Sequence, residues 1–242
     1  MILDKKSSLE DLEYEVREHT RSQHKRELDL VVSVLDTYIN GFNLIDSFIF
    51  TKDNEVETAW LLLVTRSFGS MRCAMQLMQT GYYGQATSLL RTVTEDWFIC
   101  HDCTNNQKTI QAILYNKYEI PNRREGLTFY QMAERTGKLH VYKDEYHHES
   151  KVTHPTALSL GMLRDPETGE IRAAPAYNEI LFLYCCELML RNAIGMTDFM
   201  ERFLSKLSKE QVNSWRETAG QPCKEAAEWL NALQEKYGEK TS

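Results

Sequence analysis

Apolar residues spaced three and four apart, in rows long enough for whole helices, constrain this chain more than anything else in it. From about His24 to Phe50 the row is Leu28, Val31, Val32, Leu35, Tyr38, Ile39, Phe42, Ile45 and Ile49, which stacks side chains on one helix face. Thr51-Lys52-Asp53-Asn54 has the chemistry of a tight turn, and a second helix is predicted from about Glu55 to Thr80. Gly81 suits a left-handed helix stop. A third helix opens after Gly81-Tyr82-Tyr83-Gly84 and reaches about Cys103, with Ala86, Leu89, Leu90, Val93 and Trp97 inward. The fourth, Tyr177 to Lys206, carries Ile180, Leu181, Leu183, Tyr184, Leu188, Met189, Ile194, Met196, Phe199 and Phe203. Short links between such rows force antiparallel neighbours. The expected fold is all-α: an antiparallel helical bundle of about four long helices with shorter accessory helices.

The accessory segments are Gln107 to Tyr118, Leu127 to Arg135 before Gly137, and Lys143 to His154 before Pro155. Proline disfavours helical geometry in the residue before it, which sets the last of these ends. Asp165-Pro166-Glu167-Thr168-Gly169-Glu170 offers one small β-hairpin between its flanks. Ser7 to Glu10 and Ser208 to Gln211 match capping boxes. The tail is expected to break at Gly220 and Pro222 before a short helix holding Trp229 and Leu230. One domain follows, with a helical arm over 1–22, a bundle core over 23–206 and peripheral C-terminal helices over 207–242.

A formal charge of -7 and a pI near 5.6 argue against a general nucleic-acid coat, because non-specific phosphate binding grows with the number of cations presented. No stretch reads as a membrane span and the first residues lack the apolar core of a signal peptide. Six cysteines scattered through helical rows point to free thiols rather than a disulfide frame. A cytoplasmic bacterial protein is expected, with no cofactor.

Five constellations are candidates for chemistry. Tyr146, Ser150 and His154 recur every fourth residue, which places two hydroxyls and an imidazole in one row. The histidine falls at a helix end, where the macrodipole favours the protonated ring. Arg91 and Glu95 form an i, i+4 pair that lies nearly opposite the inward stripe of its helix. It is an exposed ion pair unless another segment covers that face, in which case it becomes a polar node. Cys100, Cys103, His148 and His154 have the half-site spacings of a zinc centre, although the halves lie far apart. Glu145 and His148 match the Glu-x-x-His spacing of di-metal bundles without a second copy. Small helical nucleases of the HEPN type use an arginine followed closely by a histidine, and Arg135 with His140 and Arg17 with His24 show that spacing at chance frequency. Phosphate-cradling glycine loops, dinucleotide fingerprints and nucleophile elbows are missing from the sequence.

Arg66 to Thr80, Gly81 to Ala86, Leu89 to Glu95, and the later Tyr146-x-x-x-Ser150-x-x-x-His154-Pro155 together resemble an uncharacterised bacterial helical family known only as a domain of unknown function. The resemblance covers about residues 55 to 200. It implies that Arg91, Glu95, Ser150 and His154 are the family's polar residues, and its helical layout is HEPN-like. His147, His148 and Glu149 stand where a more apolar stretch is usual in that pattern.

The function expected from these readings is a polar pocket for an anion, a nucleotide or RNA, in a HEPN-like ribonuclease or a defence or stress component. His154, Arg91, Glu95 and Ser150 are its candidate catalytic residues, and Arg66 and Tyr146 its candidate binding residues. The alternative is a non-catalytic interaction module of the immunity or antitoxin kind, whose acidic balance suits a basic protein partner. The third reading is a metal-dependent helical enzyme. A homodimer seam is offered by Tyr82, Tyr83, Cys185 and Cys186.

Overall fold

The computed structural model describes residues 8–45, 50–153 and 175–238. Its helices are α1 (Leu9–Gln23), α2 (Lys25–Asn43), α3 (Glu55–Gln79), α4 (Tyr83–Cys103), α5 (Gln107–Tyr115), α6 (Phe129–Arg135), α7 (Leu139–Val141), α8 (His147–Thr153), α9 (Glu179–Leu207) and α10 (Lys209–Gly238). A π-helical turn, Tyr142–Tyr146, joins α7 to α8. The chain is all-α and packs as a helical bundle. The expected hairpin lies outside the described residues, and an isolated bridge between Asn122 and Leu127 is the extended pairing found among those described.

Side-chain caps fix several helix starts. Ser8 Oγ accepts from the Asp11 amide while the Asp11 carboxylate accepts from the Ser8 amide, one residue later than the expected Ser7 to Glu10 box. Thr128 and Gln131 form the same reciprocal cap at α6. Helix α2 ends at Asn43 rather than near Phe50. Its inward face is Leu28, Leu30, Val31, Val34, Leu35 and Tyr38, and the predicted Val32 and Ile39 are exposed. The Tyr38 hydroxyl donates to the Ala193 carbonyl at 2.5 Å, tying α2 to α9.

Two corrections concern the long helices. The tail does not break at Gly220 and Pro222: α10 runs through both. Val212, Trp215, Ala219, Ala226 and Trp229 keep one buried stripe through them. Trp215 donates to the Thr37 carbonyl at 2.9 Å, so α10 is a fifth bundle helix on α2 and α9. Burying a continuous stripe outweighs one lost hydrogen bond at the proline. Helix α9 is long and apolar enough, by length and composition, to cross a membrane. Its Phe182, Cys185, Cys186, Met189, Met196 and Phe199 face the bundle interior, which accounts for that hydropathy.

Helix α4 lies at the centre, against α3, α6, α8 and α9. It is buried on several sides: Ala86, Leu90 and Val93 on the predicted stripe, and Asp96, Phe98 and Cys100 beyond it. The turn into α4 needs Gly81. Its φ is +86°, and a Cβ there would meet Ala176 backbone atoms at 2.8 Å. Tyr83, Cys185 and Cys186 are buried within this one chain.

Candidate functional site

Arg91 and Glu95 lie one turn apart on α4 and pair at 2.9 Å. The segment 139–153 packs over them and leaves both side chains 21% exposed, so the pair is a covered polar node. Tyr146 completes it. Its hydroxyl donates to Glu95 Oε1 at 3.0 Å and accepts from Arg91 Nη2 at 3.3 Å, while the guanidinium stands 5.4 Å from the Tyr146 ring centroid. Burial and the Glu95 carboxylate raise the Tyr146 phenol well above its usual range. This tyrosine stays protonated and serves as a donor.

The π turn sets which residues of the covering segment look inward. The His147 amide bonds to the Tyr142 carbonyl, a five-residue step, and turns of this kind recur at functional positions. Beyond it Tyr146 and Glu149, three apart, are buried, and Ser150 is half-buried beside them. The predicted row of Tyr146, Ser150 and His154 is therefore described for its first two members. His154 lies outside the described residues.

Glu149 is the residue that sequence reading missed. It is 2% exposed, and neither carboxyl oxygen has a hydrogen-bond partner. Burial holds its proton on, up to about 8; the Thr94 hydroxyl and Arg91 pull the other way, while Glu145 and Glu95 add to the rise. Thr94 is nevertheless committed elsewhere, donating to Asn192 Oδ1 at 3.0 Å. Asn192 Nδ2 in turn donates to the Leu90 carbonyl at 3.0 Å. A glutamate between two histidines and a serine gives no hydropathy signal of burial. The available sign is its three-residue spacing from Tyr146.

Around Glu149 acids outnumber bases. Arg191 on α9 pairs with Glu145 at 3.2 Å and with Glu187 at 2.8 Å. Tyr184, raised by burial and next by the Glu149 charge, stands near it on α9. Behind Thr94 opens a hollow of about 440 Å³, bounded by Trp97, Glu145, Arg191, Asn192, Ile194 and Leu230. Gly195 packs closely there: a Cβ on it would lie 3.1 Å from Trp97 Nε1, so the indole would have to shift slightly to admit one.

The other candidates sit apart from this node. Arg66 makes a two-pronged pair with Asp96, which also accepts from Ser67 Oγ at 2.9 Å. That joins α3 to α4 and leaves the Arg66 side chain half exposed. Arg135 is committed to Asp102 at 2.9 and 2.8 Å and to the Gly126 carbonyl at 2.7 Å, so it anchors α6, while His140 is exposed. His24 is buried at the α1–α2 junction with Nε2 2.7 Å from the Tyr177 hydroxyl. Cys100 and Cys103 are fully buried, and burial raises both thiols. His148 is exposed against Tyr184. Among the described residues no group of three histidine, cysteine, aspartate or glutamate side chains could hold a metal ion.

Neither a protein-family model, nor a curated protein, nor a solved structure matches the chain.

Proposed function

We propose that the protein acts through a small-molecule site where α4 meets the segment 139–153, with Glu149 as its proton-bearing group. The observation that carries this reading is a glutamic acid buried with both oxygens unsatisfied. Leaving such a group unpaired costs about 1 to 3 kcal/mol, and a buried acid whose proton affinity is shifted by desolvation and by specific charge partners is a candidate functional group. A carboxyl that titrates near 8 is matched to acid–base work close to neutral pH. In a catalytic form Glu149 exchanges the proton, Arg91 meets negative charge developing on the ligand, and Tyr146 holds Glu95 in place.

The nucleotide or RNA expected from the sequence fits this site through a base more readily than through a phosphate. A phosphate competes for an Arg91 whose Nη2 already serves Glu95 and Tyr146, whereas the N–H edge of a base meets carboxyl oxygens that lack a donor. The test compares native mass spectra of the untagged wild type and Glu149→Gln. A small molecule retained by the wild type and absent from the variant is expected. The same bound mass on both folded proteins overturns the reading.

A second reading, the non-catalytic module for a basic protein partner, is favoured by a groove of about 1080 Å³ where the α1–α2 junction faces α9 and α10. It is lined by Leu30, Leu183 and Trp229, and its carboxylates Glu27, Asp29, Glu179, Glu225 and Glu228 outnumber its cations Lys25, Arg26 and Lys236.

A further inference from the structure

Two features around Glu149 select the ligand's charge. Once Glu149 ionises, both carboxyl oxygens are acceptors with no donor beside them, so a ligand that pairs with the carboxylate brings N–H or O–H groups. Among the described residues, the charges that act on Glu149 are Arg91 and Glu95 on α4 and Glu145 on the covering segment. On α9 the Tyr184 phenol stands near Glu149, and Glu187 and Arg191 stand around that phenol, Arg191 pairing with both Glu145 and Glu187. The two carboxylates that act on Glu149 outnumber the one guanidinium before it ionises. An anion entering here adds to that negative excess, whereas a monocation offsets the charge that Glu149 gains on releasing its proton.

The space available points to the same class. Thr94 and Glu145, both of which act on Glu149, also line the hollow behind Thr94. Its lining also carries the apolar surfaces of Trp97, Ile194 and Leu230. A ligand with an apolar or aromatic body and a cationic nitrogen head satisfies both ends, since an aromatic wall also attracts cations.

We propose that this site binds a small organic cation, an amine or amidine, whose N–H groups pair with the Glu149 carboxylate while the Glu149 proton is released to solvent. The inference rests on the small-molecule reading above and adds the ligand class and its coupling to pH. Atoms and charge balance: the protonated ligand and the neutral acid give an ion pair and one free proton. Because that proton leaves only from the bound state, affinity rises about tenfold per pH unit from neutrality up to the Glu149 value near 8, then levels off.

The test is calorimetric titration of the full chain with benzamidine, and with benzoate as an anion of the same shape, in two buffers of different ionisation enthalpy. Expected are benzamidine binding with release of close to one proton, no benzoate binding, and at least a tenfold loss with abolished proton release in Glu149→Gln. Glu145→Gln should weaken benzamidine and keep the pH dependence. Failure of the wild type to bind benzamidine at millimolar concentration, or binding with no proton released, overturns the inference. Glu149-dependent binding of benzoate instead overturns the cation assignment and leaves the small-molecule site standing. Equal binding of benzamidine to wild type and Glu149→Gln removes both.

Discussion

Glu149 makes stability and pH opponents. The folded chain keeps its proton up to about 8, whereas the unfolded chain releases it near the ordinary value of 4.5. Between those values unfolding releases a proton, so the group's contribution is intact at low pH and is lost as pH rises. The slope is about 1.4 kcal/mol per pH unit. Glu149→Gln should therefore match the wild type near pH 4.5 and become progressively more stable toward pH 8, as read from urea midpoints. A constant difference across that range would show that the carboxyl is not held protonated. Such a gain in stability at the expense of the site is the usual exchange at functional groups. At this scale the sequence was partly legible. The Arg91–Glu95 pair is predicted by helical spacing, whereas its meeting with Tyr146 depends on which segment covers α4, and spacing does not give that. Glu149 was not legible, because its burial depends on a turn of irregular pitch and on a neighbouring helix, neither of which leaves a mark in local hydropathy.

Among the elements, the long helices were read with the right type and approximate ends, since repeated apolar spacing integrates over many residues. The C-terminal helix was misjudged for the opposite reason: Gly220 and Pro222 are strong local signals, and tertiary burial of Trp215, Ala219, Ala226 and Trp229 overrode them. This can be checked at Gly220, which is exposed and has nothing within 4 Å of an added Cβ. In a continuous helix Gly220→Ala should stabilise by about 0.5 to 1 kcal/mol. Thermal unfolding decides it, and no gain, or a loss, would argue for a break. Helix α2 erred in the other direction. Its apolar row runs on past Asn43, where the helix itself stops, so periodicity overstated its length.

For the whole molecule, the centre of the bundle sets acid tolerance. His101 on α4 is held between Trp97 and Phe199 at centroid distances of 4.4 and 4.8 Å. Burial, with Lys138 and Arg202 nearby, lowers it to about 4 from an ordinary 6.5. Its stabilising share is present above 6.5 and is lost as pH falls toward 4, because the unfolded chain takes up the proton first. His101→Leu should flatten the acid side of the stability curve between pH 6.5 and 4, measured by urea unfolding at several pH values. An unchanged acid slope would place the sensitivity elsewhere. Helix α4 also carries a polar contact to each of four neighbours: Asp96 to Arg66 on α3, Asp102 to Arg135 on α6, Glu95 to Tyr146 on the covering segment, and Thr94 to Asn192 on α9. Helix bundles packed by apolar side chains alone tolerate sliding by a turn, since one leucine replaces another. Here the central helix is indexed like a keyed shaft, and a slip of one turn would strand four polar groups at once. A ligand reaching Glu149 is therefore met by a site whose helices hold their register, and sliding of one helix along another is the costly motion.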